Sequence, residues 1–61
     1  MDKELKEKID AVINTLGGIN VCIYAIQEDV YLSDSSKEFG LKALNKEKQK
    51  WADYLKELKG L

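Results

Sequence analysis

An all-α antiparallel helical hairpin is the fold this sequence predicts, and three observations predict it. Apolar residues recur at alternating steps of four and three at Leu5, Ile9, Val12, Leu16, Ile19, Ile23, Ile26 and Val30. The second half repeats the spacing at Leu41, Leu44, Lys48, Trp51, Leu55 and Leu58, broken only by Lys48. Between the two lies a short polar run, Ser33-Asp34-Ser35-Ser36. On an α-helix this spacing makes one continuous apolar stripe, which lets one helix lie lengthwise on another. Two stripes joined by so short a connection become antiparallel neighbours.

The first helix is expected over about residues 2–32. Asp2 and Glu4 put negative charge where a helix N-terminus favours it, and Glu4 with Lys8 forms a favourable i,i+4 pair. Gly17-Gly18 is the weak point, because two glycines after a helical run are a stop signal. The segment that follows, Ile19 to Ile26, is rich in β-branched and aromatic residues. Taken locally it predicts a strand over about 19–26, a turn at Gln27-Glu28-Asp29 and a second strand over 30–32. That is the alternative fold, an α+β helix–β-hairpin–helix.

Two considerations favour a continuous or kinked helix. The apolar stripe keeps its phase through the glycines, and a lone two-stranded hairpin is marginal in water. Against it, each interior glycine costs about 1 kcal/mol relative to alanine, which packing offsets where another helix crosses closely. The second helix is expected over about 36–59, with Ser35 and Glu38 as a capping box and Gly60 as its stop.

The 61 residues predict one small helical domain, 1–61, whose core is marginal unless supplemented. Cys22 is the only cysteine and histidine is absent, so neither an internal disulfide nor a Cys/His metal site is available. No metal or cofactor is expected. Self-association is the remaining supplement, most simply a homodimer forming a four-helix bundle.

Charge is nearly balanced overall but uneven along the chain. Residues 1–36 carry three Lys against seven Asp/Glu, and residues 37–61 carry seven Lys against four. Mutual neutralisation within the hairpin, or head-to-tail pairing between chains, follows from that asymmetry. All ten basic residues are Lys. Without Arg the chain lacks the planar fork preferred for phosphate and base recognition, so nucleic acid is the less favoured partner. The absence of Arg, Pro and His beside abundant Lys, Ile and Asn points to an AT-rich bacterial or phage genome. No run of 18 apolar residues occurs and the opening Asp2-Lys3-Glu4 is no signal peptide, so no membrane span is expected and the bacterial cytoplasm is the expected compartment.

Catalysis is not expected, since there is no His, no Arg and no Gly-rich phosphate loop. The informative feature is a second apolar face: Val21, Tyr24, Tyr31 and Leu32 lie off the stripe. A helix apolar on more than one side is normally buried on more than one side, which makes these four a dimer core or a partner-binding patch. Cys22, in the same segment, is expected as a small buried filler. Lys42, Lys46 and Lys50 form an i,i+4 row read as a solvated face, partly compensated by Glu38 and Asp53, or else as a polyanion contact. Lys48 on the stripe is the kind of polar residue that fixes register, and Trp51 is expected in the core.

In length and layout, not in matching residues, the hairpin resembles the plasmid RNA-binding hairpin Rop, which implies a dimeric four-helix bundle and no particular site residues. The function expected is a small regulatory or inhibitory protein, dimeric, binding a larger protein partner. A Rop-like nucleic-acid binder and a purely structural oligomerisation module are the alternatives.

Overall fold

The computed structural model describes residues 2–61, which form two helices, α1 (Lys3–Glu28) and α2 (Asp34–Lys59), packed against each other as a hairpin. The rod measures 46 × 14 × 9 Å. Its radius of gyration is 14.4 Å, against about 10.5 Å for a compact chain of this length. No strand occurs among the described residues, which overturns the α+β alternative with strands at 19–26 and 30–32. Packing along the apolar stripe outweighs the local β preference of Ile19 to Ile26, as tertiary context commonly does.

α1 starts on Asp2, whose carboxylate accepts from the Glu4 backbone N–H at 3.2 Å. Glu4 and Lys8 pair at 3.8 Å on the exposed side, worth a few tenths of a kcal/mol at most. The helix runs unbroken through Gly17-Gly18. A Cβ added at either glycine would meet nothing within 4 Å, so no contact inside the hairpin requires glycine there.

α1 ends at Glu28, four residues before the expected end at 32. Asp29 is the cause. Its carboxylate accepts from the Tyr31 N–H at 2.7 Å and the Leu32 N–H at 3.0 Å, folding the chain into a side-chain-built turn. The stripe position Val30 is therefore not helical and does not join the seam. It is 83% exposed, and Tyr31 beside it is 95% exposed.

α2 also begins earlier than expected, at Asp34, with Ser33 rather than Ser35 as its cap. The Ser33 hydroxyl oxygen accepts from the Ser36 N–H at 3.2 Å and donates to the Ser36 hydroxyl at 3.0 Å. Four successive residues here suit a cap; the earliest adds two residues to the helix and puts Asp34 in the first turn, where its charge is favourable. Lys37 then reaches back and donates to the Gln27 carbonyl at 3.3 Å. α1 has no basic residue in its own last turn, so α2 supplies the cation its C-terminus favours. α2 closes with Lys56 and Lys59 in its last turn and Gly60 at its cap, in an ordinary right-handed conformation.

The seam is one-sided. Ile9, Val12 and Leu58 are buried, with Leu5, Leu16, Trp51 and Leu55 packed around them. Ile19, Ile23, Ile26, Leu41, Leu44 and Lys48 are half-buried further along. Near the turn the helices come close: a Cβ on Gly40 would lie 3.1 Å from Ile26 Cδ1. Leu58 against Ile9 at one end and Gly40 against Ile26 at the other fix the antiparallel sense.

Candidate interaction surface

From Ala11 to Gln27, seventeen residues, α1 carries no charge on any side. α2 covers only the stripe, and the rest of this band faces solvent. Ile13 is 47% exposed, Tyr24 65% and Val21 68%. An 18-residue window of α1 has a mean hydropathy of 1.5 with 11% of it buried, enough by length and composition to cross a membrane. Asn14, Thr15 and Asn20 interrupt the band, which is why counting an unbroken apolar run does not register it.

The four residues Val21, Tyr24, Tyr31 and Leu32 do not form one helical face. Val21 and Tyr24 stand on α1, whereas Tyr31 and Leu32 belong to the turn built by Asp29. Two residues outside that expectation are as prominent. Phe39 on α2 is exposed, adding an aromatic ring to the apolar turn region, and Ile13 lies on the uncovered side of α1. The signal that could have found Ile13 is its spacing, four residues before Gly17 and eleven before Tyr24 on a second helical row, masked by its place beside the stripe residue Val12. Cys22 is exposed, not a buried filler. It lies on the part of α1 that α2 does not reach.

On α2, Lys42, Lys46 and Lys50 are exposed as an outward row. Lys50 lies 3.9 Å from Glu47, while Asp53 accepts from Gln49 at 2.9 Å instead of compensating Lys50. Both ion pairs among the described residues are within single helices, so α1, with three Lys and four Asp/Glu, and α2, with seven Lys and five, are not joined by one. Trp51 and Tyr54 meet edge to face with centroids 6.1 Å apart. A recess beside them, lined by Glu47, Lys50, Trp51 and Tyr54, and another between the helix ends, lined by Asp2, Glu4, Leu5, Lys8, Leu58 and Leu61, are each about 320 Å³. Both are at the small end for ligand sites and open to solvent, where binding sites enclose most of their ligand. No group of three or more metal-ligating side chains occurs among the described residues.

No protein-family model, curated protein or solved structure matches the chain.

The surface area summarises the geometry. The chain exposes 4941 Å², against about 4,000 Å² for a globular monomer of 6.9 kDa. The surplus of about 900 Å² is close to what one partner contributes to a standard protein interface, about 800 Å².

Proposed function

We propose that this chain is a small non-enzymatic regulatory or inhibitory module of bacterial or phage origin, acting in the cytoplasm as a homodimer that docks on a larger protein. The observation that carries the reading is the uncovered, uncharged side of α1 with its exposed Ile13, Val21 and Tyr24. Isolated apolar side chains are normal on a surface, but a band of this length is characteristic of an interface. Tyr24, Tyr31 and Phe39 add amphipathic or aromatic anchors of the type enriched where proteins meet. A membrane location is disfavoured by α2, whose twelve charged side chains lie along a helix packed on α1.

Affinity capture from a bacterial lysate, with and without nuclease, tests the reading. The expected result is a discrete protein retained after nuclease and lost with Tyr24→Lys/Tyr31→Lys. A capture that this double substitution leaves intact refutes it.

A second reading, a nucleic-acid-binding hairpin dimer resembling Rop, has support from the exposed Lys42 and Lys46, which make no ion pair among the described residues. Phosphate contacts release counterions, so binding that does not weaken as salt rises would count against it. A purely structural oligomerisation module is the reading left if a stable dimer captures nothing.

A further inference from the structure

We infer that the uncovered side of α1 is the seat of a second copy of this chain, bound antiparallel, with the two-fold axis passing beside Gly17. The inference rests on the homodimer in the reading above and gives this face to the second copy, which leaves the exposed Tyr31 and Phe39 at the turn end for the larger partner. The row through Gly17 has a palindromic spacing. Moving outward, Ile13 and Val21 stand four residues away on either side, Asp10 and Tyr24 seven, and Lys6 and Glu28 eleven. At 100° per residue all of them stay within about 40° of Gly17 around the helix. Every member of the row is exposed, so α2 does not use this face.

Antiparallel pairing about Gly17 sets each residue beside its mirror position on the other copy. Apolar Ile13 meets Val21. The Tyr24 hydroxyl can donate to the Asp10 carboxylate, and the Lys6 ammonium meets the Glu28 carboxylate. Symmetry makes each contact twice. At the centre glycine meets glycine, and the missing Cβ, which nothing inside the hairpin accounts for, lets two backbones approach. Parallel pairing would oppose Lys6 to Lys6, Asp10 to Asp10 and Glu28 to Glu28. Among the described residues none of these three makes an ion pair within the chain, so all are available for one between chains.

The rod exposes about 900 Å² more than a globular monomer of its mass, so its surface has room for the roughly 800 Å² that each partner of a stable pair buries. A bilayer fits less well. α1 is long and apolar enough to span one, but α2, packed along it, would bring twelve charged side chains into the bilayer.

Cysteine cross-linking of the full chain, in a Cys22→Ser background, tests the register. Residues 13 and 21 are about 12 Å apart along one helix, beyond the roughly 7 Å limit for a disulfide. The variant carrying both Ile13→Cys and Val21→Cys is expected to link into covalent dimers on mild oxidation, while each single substitution leaves the like pair about 12 Å apart and unlinked. In parallel, Lys6→Glu is expected to weaken dimerisation about tenfold in sedimentation equilibrium, since symmetry loses two pairs at once, and adding Glu28→Lys to restore it. Far-UV circular dichroism of each variant establishes that the hairpin is intact; Lys6 and Glu28 are exposed and contribute nothing to the seam. A dimer that links no better through the double cysteine variant, or ignores the charge reversal, overturns this register and leaves the homodimer standing. A chain that stays monomeric overturns both. Flotation of the unmodified chain with phosphatidylcholine vesicles in place of dimerisation would assign the face to lipid and equally overturn the inference.

Discussion

Replacing Gly18 by alanine should stabilise this protein, although glycine pairs inside helices are usually suspected of structural duty. Alanine is favoured over glycine in a helix interior by about 0.8–1.0 kcal/mol, because it leaves less backbone freedom to be lost on folding. Nothing offsets that gain here, since a Cβ at position 18 meets no atom within 4 Å. Unfolding entropy of about 2.1 cal/mol/K per residue gives roughly 0.13 kcal/mol/K for 61 residues. The melting temperature should therefore rise by about 7 °C. Thermal melting followed by far-UV circular dichroism is the assay, run at several protein concentrations because association stabilises the folded state by mass action. Gly17→Ala has the same intrinsic gain, but on the inferred two-fold axis part of it is lost, and the shortfall should grow with concentration. An unchanged or lower melting temperature for Gly18→Ala at every concentration would refute the argument that glycine is optional at 18.

The same assay checks three further predictions. Asp29→Ala removes the carboxylate that accepts from Tyr31 and Leu32, and should cost about 1 kcal/mol, lowering the melting temperature by about 8 °C. Leu58→Ala opens the small buried cluster it shares with Ile9 and Val12 and should cost about 2–3 kcal/mol, whereas Val30→Ala, equally apolar but exposed, should stay within about 0.5 kcal/mol. Gly40→Ala should gain less than Gly18→Ala, because its Cβ would come within 3.1 Å of Ile26 Cδ1 and the isoleucine would have to give way; an equal gain would mean that the helices are not in close contact there.

The hairpin was legible in the sequence because its signal is long. Seven stripe positions from Leu5 to Ile26 keep phase along α1 and six from Leu41 to Leu58 along α2, while the competing strand signal is confined to Ile19 to Ile26 and the short run after it. Helix ends were less legible. Apolar spacing carries on to Val30 without registering that the Asp29 side chain can take the backbone N–H groups a further turn would need. Ser33, Asp34, Ser35 and Ser36 are all competent caps, so composition alone does not choose among them. The candidate surface was half visible. Val21 and Tyr24 stood out as apolar residues off the stripe, but Ile13 was hidden beside Val12. Gly17 read as a stop signal, when its neighbours at four, seven and eleven residues make it the centre of a symmetric row.

The Ile9, Val12 and Leu58 cluster sits at the end of the rod away from the turn. A hairpin is covalently joined at one end, and that end would ordinarily be the harder to pull apart. Here the joint holds exposed Val30 and Tyr31 and is shaped by short-range hydrogen bonds, while the three buried side chains grip at the opposite end. Local opening should therefore begin at the turn and travel away from it, and amide protons around Ile9 and Val12 should be among the last to exchange. The connecting segment is then the part most tolerant of insertion or replacement, and the fastening that keeps the two helices together is the one made without a covalent bond.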